Sequence, residues 1–437
     1  MTGDGALDLG GLRTALLDAP LTRVTGRLVQ AVGPLLEAEV PGATVGSAWA
    51  VEPGVVCEVV GFKGRRALLM PLEGTDGVAY GARVRHVADA ISVGVGPELL
   101  GRVLDGLGRP IDGKPTPVLV DRRKVTGEAP APMERGLITE ALPTGVRVID
   151  GLLTVGVGQR VAIMAGSGVG KSTLLGMIAR NTRVDVNVIC LVGERGREVR
   201  EFLETNLGPE GLARSVLVVA TSEQSPALQV KAPFLATTIA EAFRDAGMNV
   251  LLMVDSLTRL ALAQRQIGLA AGEPPTTRGF TPSVFSLLPK LLERAGPGKA
   301  GTSITGMYTV LIEGDDVHDP IGDAVRGILD GHIVLSRRLA SHNHFPAVDV
   351  LASLSRLMDR VVQPRHKALA ARCRDLLATW AENEELIRLG AYRKGTSPQV
   401  DEAIERMPHV DAFLRQRDEV GSFEGDLGLL AKAVGAR

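Results

Sequence analysis

Apolar and polar positions along this chain fall into distinct regimes. Over 21–95, short apolar-rich runs at 23–29, 36–40, 55–62 and 66–71 are closed by Gly or Pro at close intervals. That spacing predicts strands of a small β-barrel or sandwich. From about residue 96 the runs become continuously apolar, at 161–165, 186–192, 216–220, 250–254, 307–312 and 332–335, with helix-length stretches between them. Unbroken apolar strands separated by helices predict a parallel sheet buried on both faces. Beyond 360 the period turns helical. Ser397 and Pro398 supply an N-cap and a first helical position, and Val400, Ile404 and Met407 share a face. At the start of the chain Leu9, Leu12, Leu16 and Leu17 line one face of a short helix stopped by Pro20. That face either packs on the barrel or docks a partner. The divisions expected are 1–20, 21–95, 96–358 and 359–437: a docking segment, a β-barrel, an α/β core and a helical C-terminal domain.

Composition narrows the function classes. The chain has 437 residues, 45% hydrophobic and 23% charged, with only 3% aromatic, so its cores are built from Leu, Val, Ile and Ala. A net charge of −1 argues against a protein that coats nucleic acid. Over 1–95 the basic residues number eight and the acidic ten, and Trp49, Phe62 and Tyr80 are the aromatics there. An RNA-stacking barrel needs more of both kinds. The 3 cysteines are scattered and form neither a disulfide nor a zinc pattern, which fits a reducing cytoplasm. No apolar run reaches the length of a membrane span, and the acidic start lacks a signal-peptide pattern.

The densest chemistry sits at 165–173, AGSGVGKST, between the apolar strand at 161–165 and a helical run through Leu174, Leu175 and Ile178. A Gly-rich turn between strand and helix lets backbone N–H groups close around phosphate oxygens, with the helix N-terminus adding a favourable dipole. Gly166, Ser167, Gly168, Val169 and Gly170 form the cradle, Lys171 reaches the β- and γ-phosphates, and Ser172 and Thr173 open the helix. Ser172 is the expected Mg²⁺ ligand. Ala165 departs from the strict pattern, which has Gly, but is small enough for the position. The core is therefore expected to be a P-loop nucleotide-binding fold.

Two further strand ends complete a hydrolytic site. The run 250–254 ends in Asp255, placed to hold Mg²⁺ from beside the P-loop strand. The run 186–192 ends in Gly193, Glu194 and Arg195, where Glu194 can polarise an attacking water and Arg195 can counter phosphate charge. Glu198, one helical turn on, is the competing carboxylate. His342 and His344 lack an evident third ligand and read as an ordinary loop rather than a metal site.

The block 193–202, GERGREVREF, resembles the ATPases of type III protein export, which serve flagella and injectisomes and are relatives of the rotary ATP synthase catalytic subunit. The likeness continues at 142–154, 272–289, 308–320 and 327–338 and covers roughly 20–420. It implies a RecA-like P-loop core, with Glu194 as catalytic glutamate. It also implies that Phe345 stacks on adenine where relatives often carry Tyr, and that Arg356 is an arginine finger inserted into a neighbour's site. A homohexamer follows, with ATP and Mg²⁺ at the interfaces. The resemblance further implies a stator-like regulator, export chaperones with their cargo, and a membrane export gate as partners. It implies a cytoplasmic protein, peripheral at the inner face of the cell membrane. It places Tyr308 and the loop 313–316 toward a central pore.

The alternative is a catalytic subunit of a rotary proton- or sodium-translocating ATP synthase. The block 383–395, NEELIRLGAYRKG, resembles the export branch, and the acidic DELSEED-type segment of synthase subunits is missing. A Rho-like RNA translocase is disfavoured by the aromatic-poor barrel, and a non-catalytic ring subunit by the presence of Glu194.

Overall fold

The computed structural model describes residues 24–299, 301–312, 319–417 and 419–436. The leucine face at 9–17 and the loop 313–316 lie outside the described residues. The chain divides between Ile91 and Ser92 into two compact units.

The first unit is a closed barrel. Its strands run Thr25–Val32, Leu35–Glu39, Arg66–Pro71, Val55–Lys63, Ala48–Val51 and Arg83–Ala88 around the wall, each antiparallel to its neighbour. Leu28, Leu36, Trp49, Val51, Val59, Leu69 and Val84 fill it. The buried Trp49 indole satisfies its N–H on Ser47 Oγ at 2.9 Å. Two of these strands are absent from the pattern reading. Ala48–Val51 is short and buried throughout, and the charges of Arg83, Arg85 and His86 mask the single inward Val84.

The second unit is built on a sheet whose order is Val348–Ser355, Gly331–Leu335, Arg160–Ala165, Ser303–Leu311, Asn249–Asp255, Val186–Val192, Ser215–Ala220, Arg102–Asp105. All pairs along this path are parallel except the first, where Val348–Ser355 returns antiparallel on Gly331–Leu335. The sheet is thus mixed at one edge rather than wholly parallel. Side chains alternate between faces. Ile163, Ile189, Leu217, Leu251 and Met307 join one core with the helix Lys171–Asn181 and the C-terminal helices. Met164, Val188, Val218 and Leu252, equally buried, point to the other face, where the helix Pro226–Asp245 packs. Burial on both faces is why the strands read as unbroken apolar runs.

Tyr308 lies inside the strand Ser303–Leu311 and is 0% exposed. Its side chain is a core element and faces no pore, because its strand is central in the sheet.

The C-terminal helices Pro364–Arg388, Pro398–Leu414 and Phe423–Ala433 belong to the same compact unit as the sheet. A buried polar seam fastens them. Arg147 reaches Glu419 at 3.0 Å and Asp426 at 3.4 Å, its N–H donates to Gln416 Oε1 at 2.7 Å, and Gln416 Nε2 donates to the Gly145 carbonyl at 2.9 Å. Ser397 stands at the N-cap of its helix, but its hydroxyl engages Gln399 instead of a backbone N–H.

Candidate active site

Parallel strands deliver their C-terminal ends to one edge of a sheet, and ligands gather there. Here that edge carries the loop 166–170, Glu194 and Asp255. The helix Lys171–Asn181 begins directly after Gly170, whose φ of +89° permits the tight entry. Val169 is buried and anchors the loop, while Ser167, Gly168, Ser172 and Thr173 are exposed along its mouth.

From sequence, Asp255 is expected beside the P-loop strand. One strand, Ser303–Leu311, in fact lies between them. Two strand spacings amount to about 10 Å, and the lysine side chain spans the gap. Lys171 Nζ lies 2.5 Å from Asp255 Oδ1 and 3.3 Å from Glu194 Oε1. Burial alone would lower the Lys171 pKa, but the two carboxylates more than offset it and hold the ammonium above its ordinary value. The interposed strand supplies a residue the sequence did not flag. Thr309 Oγ1 donates to Asp255 Oδ1 at 2.6 Å and fixes the carboxylate from behind.

Glu194 follows Gly193, whose φ is +67° and where any Cβ would strike the Arg259 side chain at 2.9 Å. Burial is the chief cause that pushes the Glu194 carboxyl up to about 7. Lys171 opposes that shift, while a hydrogen bond with Glu198 and the charge of Asp255 add to it. Glu198 is held below its ordinary value, first by that same hydrogen bond. The pair therefore keeps its proton on Glu194, which donates it to Glu198. Arg195 is largely exposed and 3.5 Å from Glu198, so within this chain it accompanies the glutamate pair and not Lys171.

Two more arginines border the site. Arg259 packs its stem over Gly193, and its Nε is buried without a hydrogen-bond partner. Arg337 brings a guanidinium nitrogen to 3.3 Å from where a Cβ on Gly166 would stand. Neither stands in a motif of the sequence, although Arg259 follows Asp255 by one helical turn. Phe345 does join the loop: a Cβ on Gly170 would lie 3.3 Å from its ring, and its carbonyl accepts from the Gln416 N–H at 2.9 Å.

Arg356 does not join the site of its own chain. Ser355 pairs with Gly331 at the start of its strand, whereas the P-loop strand ends level with Leu335. Arg356 thus emerges at the opposite edge of the sheet, about 15 Å along the strands. Its backbone N–H donates to Asp330, and its exposed guanidinium donates to the Arg326 carbonyl at 3.1 Å.

A family model of the ATP synthase alpha/beta nucleotide-binding domain matches residues 145–355, and the beta-barrel domain of that family matches 23–87. A third model, the T3SS EscN ATPase C-terminal domain, matches 362–428. The type 3 secretion system ATPase of Xanthomonas euvesicatoria is 51% identical, over 97% of this chain and 97% of its own length. The flagellum-specific ATP synthase of Bacillus subtilis is 50% identical, over 94% of this chain and 95% of its own. The chain belongs to the type III export ATPase family. Among solved structures, the assembled export ATPase EscN of enteropathogenic E. coli superposes with a TM-score of 0.90 at 48% identity, covering 94% of this chain and 100% of that one. EscN in complex with its central stalk EscO gives a TM-score of 0.87. As an export ATPase, the chain has the barrel, RecA-like core and helical C-terminus expected of it. The rotary-synthase alternative gains no support from these relatives. No helix among the described residues is long and apolar enough to cross a membrane.

Proposed function

We propose that this export ATPase binds ATP between two subunits of a homohexamer and uses its hydrolysis to drive type III protein export. The observation that carries the reading is the convergence of Lys171, Glu194 and Asp255 at the edge where the phosphate loop ends. The loop amides from Gly166 to Thr173 hold the phosphates. Lys171 exchanges its carboxylate partners for β- and γ-phosphate oxygens. Glu194, once ionised, takes the proton of a water whose oxygen bonds to the γ-phosphorus as the bond to the β-phosphate oxygen breaks, giving ADP and phosphate. Phe345 offers its ring face to the adenine.

Ser172 and Asp255 make the sparse oxygen set that suits Mg²⁺, which takes one or two protein ligands and completes its shell with phosphates and waters. When bound, Mg²⁺ would neutralise charge between the β- and γ-phosphate oxygens. Arg195 and Arg356 of the partner subunit are assigned to the transferring phosphoryl group. The position of Arg356 at the far edge of its own sheet supports action in trans. Near pH 7 the glutamate pair is poised to gain or lose its proton, as a general base requires.

In the cell we assign the work to releasing cargo from chaperones and feeding it to a membrane export gate, under a stator-like regulator. The protein then sits in the cytoplasm, peripheral at the inner face of the membrane. The test is a Lys171→Ala variant. Hydrolysis should vanish, and a pulldown of that variant from its native cells should recover export-gate components and chaperones. Near-normal turnover would refute the site, and recovery of proton-channel and rotor-stalk subunits would refute the export role.

A further inference from the structure

The P-loop strand Arg160–Ala165 launches the phosphate loop at its end. Its start serves a different part of the molecule. Gln159, the residue just before it, is 0% exposed. A buried amide needs partners for its acceptor and its donors, and Gln159 has them. Its Oε1 accepts from the Gly156 N–H at 2.7 Å. Its Nε2 donates to the Asp330 carbonyl and to Ser355 Oγ, both at 3.1 Å. Ser355 Oγ donates in turn to the Thr154 carbonyl at 2.8 Å.

Both acceptors of that amide belong to the seat of Arg356. Ser355 precedes Arg356 in the chain, and the Asp330 carbonyl also accepts from the Arg356 backbone N–H at 3.0 Å. Arg160 secures the Asp330 side chain, with Nε on Oδ2 at 3.1 Å and Nη2 on Oδ1 at 3.2 Å. A Cβ on Gly331 would stand 2.5 Å from the Leu354 carbonyl oxygen, so glycine is what lets the chain close around the amide. The Arg356 side chain is held far less firmly. It is exposed, and the single hydrogen bond of its guanidinium among the described residues goes to the Arg326 carbonyl at 3.1 Å. A long side chain with so little to hold it takes its aim from the backbone beneath it.

We propose that Gln159 is a positioning residue for hydrolysis in the neighbouring subunit. It fixes the backbone from which Arg356 reaches the partner's pocket, and it touches no nucleotide itself. One strand thereby serves two pockets, its own through the phosphate loop and the next one through Gln159. The inference rests on the reading of Arg356 as a finger acting in trans. Misplacing a group by about 1 Å at a reaction centre can cost on the order of 10²-fold in rate.

The test uses the full chain in its assembled form. Gln159→Met keeps the length of the side chain and removes the amide. Ser355→Ala removes one of its two acceptors and is the gentler variant, which carries the same test if Gln159→Met fails to assemble. Each should assemble as wild type by light scattering and bind a fluorescent ATP analogue with unchanged Kd. Turnover should fall about tenfold in Gln159→Met and less in Ser355→Ala, the scale of one or two neutral hydrogen bonds. Unchanged turnover in both, or a Kd that weakens as far as turnover falls, overturns the proposal. Mixed rings then show which pocket is affected. A Gln159→Met chain still has Glu194, and a Glu194→Gln chain still has a well-seated Arg356. An equal mixture of the two should therefore recover about a quarter of wild-type activity, whereas Gln159→Met mixed with Arg356→Ala should stay near a twentieth. The reverse pattern would put the defect in the chain's own pocket and overturn the proposal. Arg356→Ala mixed with Glu194→Gln is the reference. No recovery there sinks the finger acting in trans and this role of Gln159 with it, while recovery there alongside the reverse pattern sinks only the role of Gln159.

Discussion

Burial raises the Glu194 carboxyl and its hydrogen bond with Glu198 adds to that shift, so the two carboxyls titrate as a pair. Burial pushes Glu194 up to about 7, and a general base works only when ionised. If Glu194 is that base, kcat/KM should rise with pH through about 7 and be lost on the acid side. The apparent value belongs to the pair and not to one residue. Glu198→Gln removes the charged partner that favours protonated Glu194, so the acid limb of the pH–rate profile should move to lower pH. A limb that stays in place would show that the two carboxyls are not coupled. Glu194→Gln should still bind ATP in an equilibrium assay while turnover falls roughly 10²–10⁴-fold. Thr309 acts at one remove, through Asp255. Thr309→Val keeps the volume of a residue that is 0% exposed and removes its hydroxyl donor to the carboxylate. Turnover should drop about tenfold with little change in melting temperature, the size of a lost hydrogen bond to a charged group.

At the level of elements, the sheet edge assembles the site and the polar seam holds the C-terminal helices against the sheet. Arg147 is 9% exposed and Asp426 2%, so truncating the arginine leaves a carboxylate buried without its counter-charge. Arg147→Ala should cost about 3–5 kcal/mol by chemical denaturation. A loss below 1 kcal/mol would mean that the seam relaxes by admitting water. The same level marks how far the sequence could be read. The strand–loop–helix around Lys171 was legible, because local spacing alone defines it. The ends of the strands at Glu194 and Asp255 were legible for the same reason. Thr309 and Arg259 were not, since they matter only through strand order, which places Ser303–Leu311 between the P-loop strand and Asn249–Asp255 and sets Val186–Val192 on the other side of Asn249–Asp255. The antiparallel edge Val348–Ser355 also escaped. It mixes exposed Leu351 and Leu354 with buried Val350, so neither alternation nor an unbroken apolar run announces it.

For the whole molecule, the feature to test is the separation of Arg356 from Lys171 within one chain. If the finger acts in trans, hydrolysis per subunit should rise with protein concentration. Arg356→Ala should assemble normally, by light scattering, yet hydrolyse ATP some 10³–10⁵-fold more slowly. Mixing it with Glu194→Gln gives the sharper result. An interface with intact Glu194 from one chain and intact Arg356 from the next is whole again. Random mixing of equal amounts should therefore restore about a quarter of wild-type activity from two inactive proteins. No recovery in mixed, assembled rings would place the finger in cis or assign it another role.

The placement of Arg356 and Lys171 at opposite edges of one sheet would, with a finger acting in trans, also have a genetic consequence. If Arg356 acts in trans, a chain that loses Lys171 should silence the pocket it owns, whereas a chain that loses Arg356 should silence the pocket next door. The second lesion is inherited by its neighbour. In a cell carrying both a normal and a mutant copy, such an allele should act as a dominant poison of export while its own nucleotide pocket remains intact.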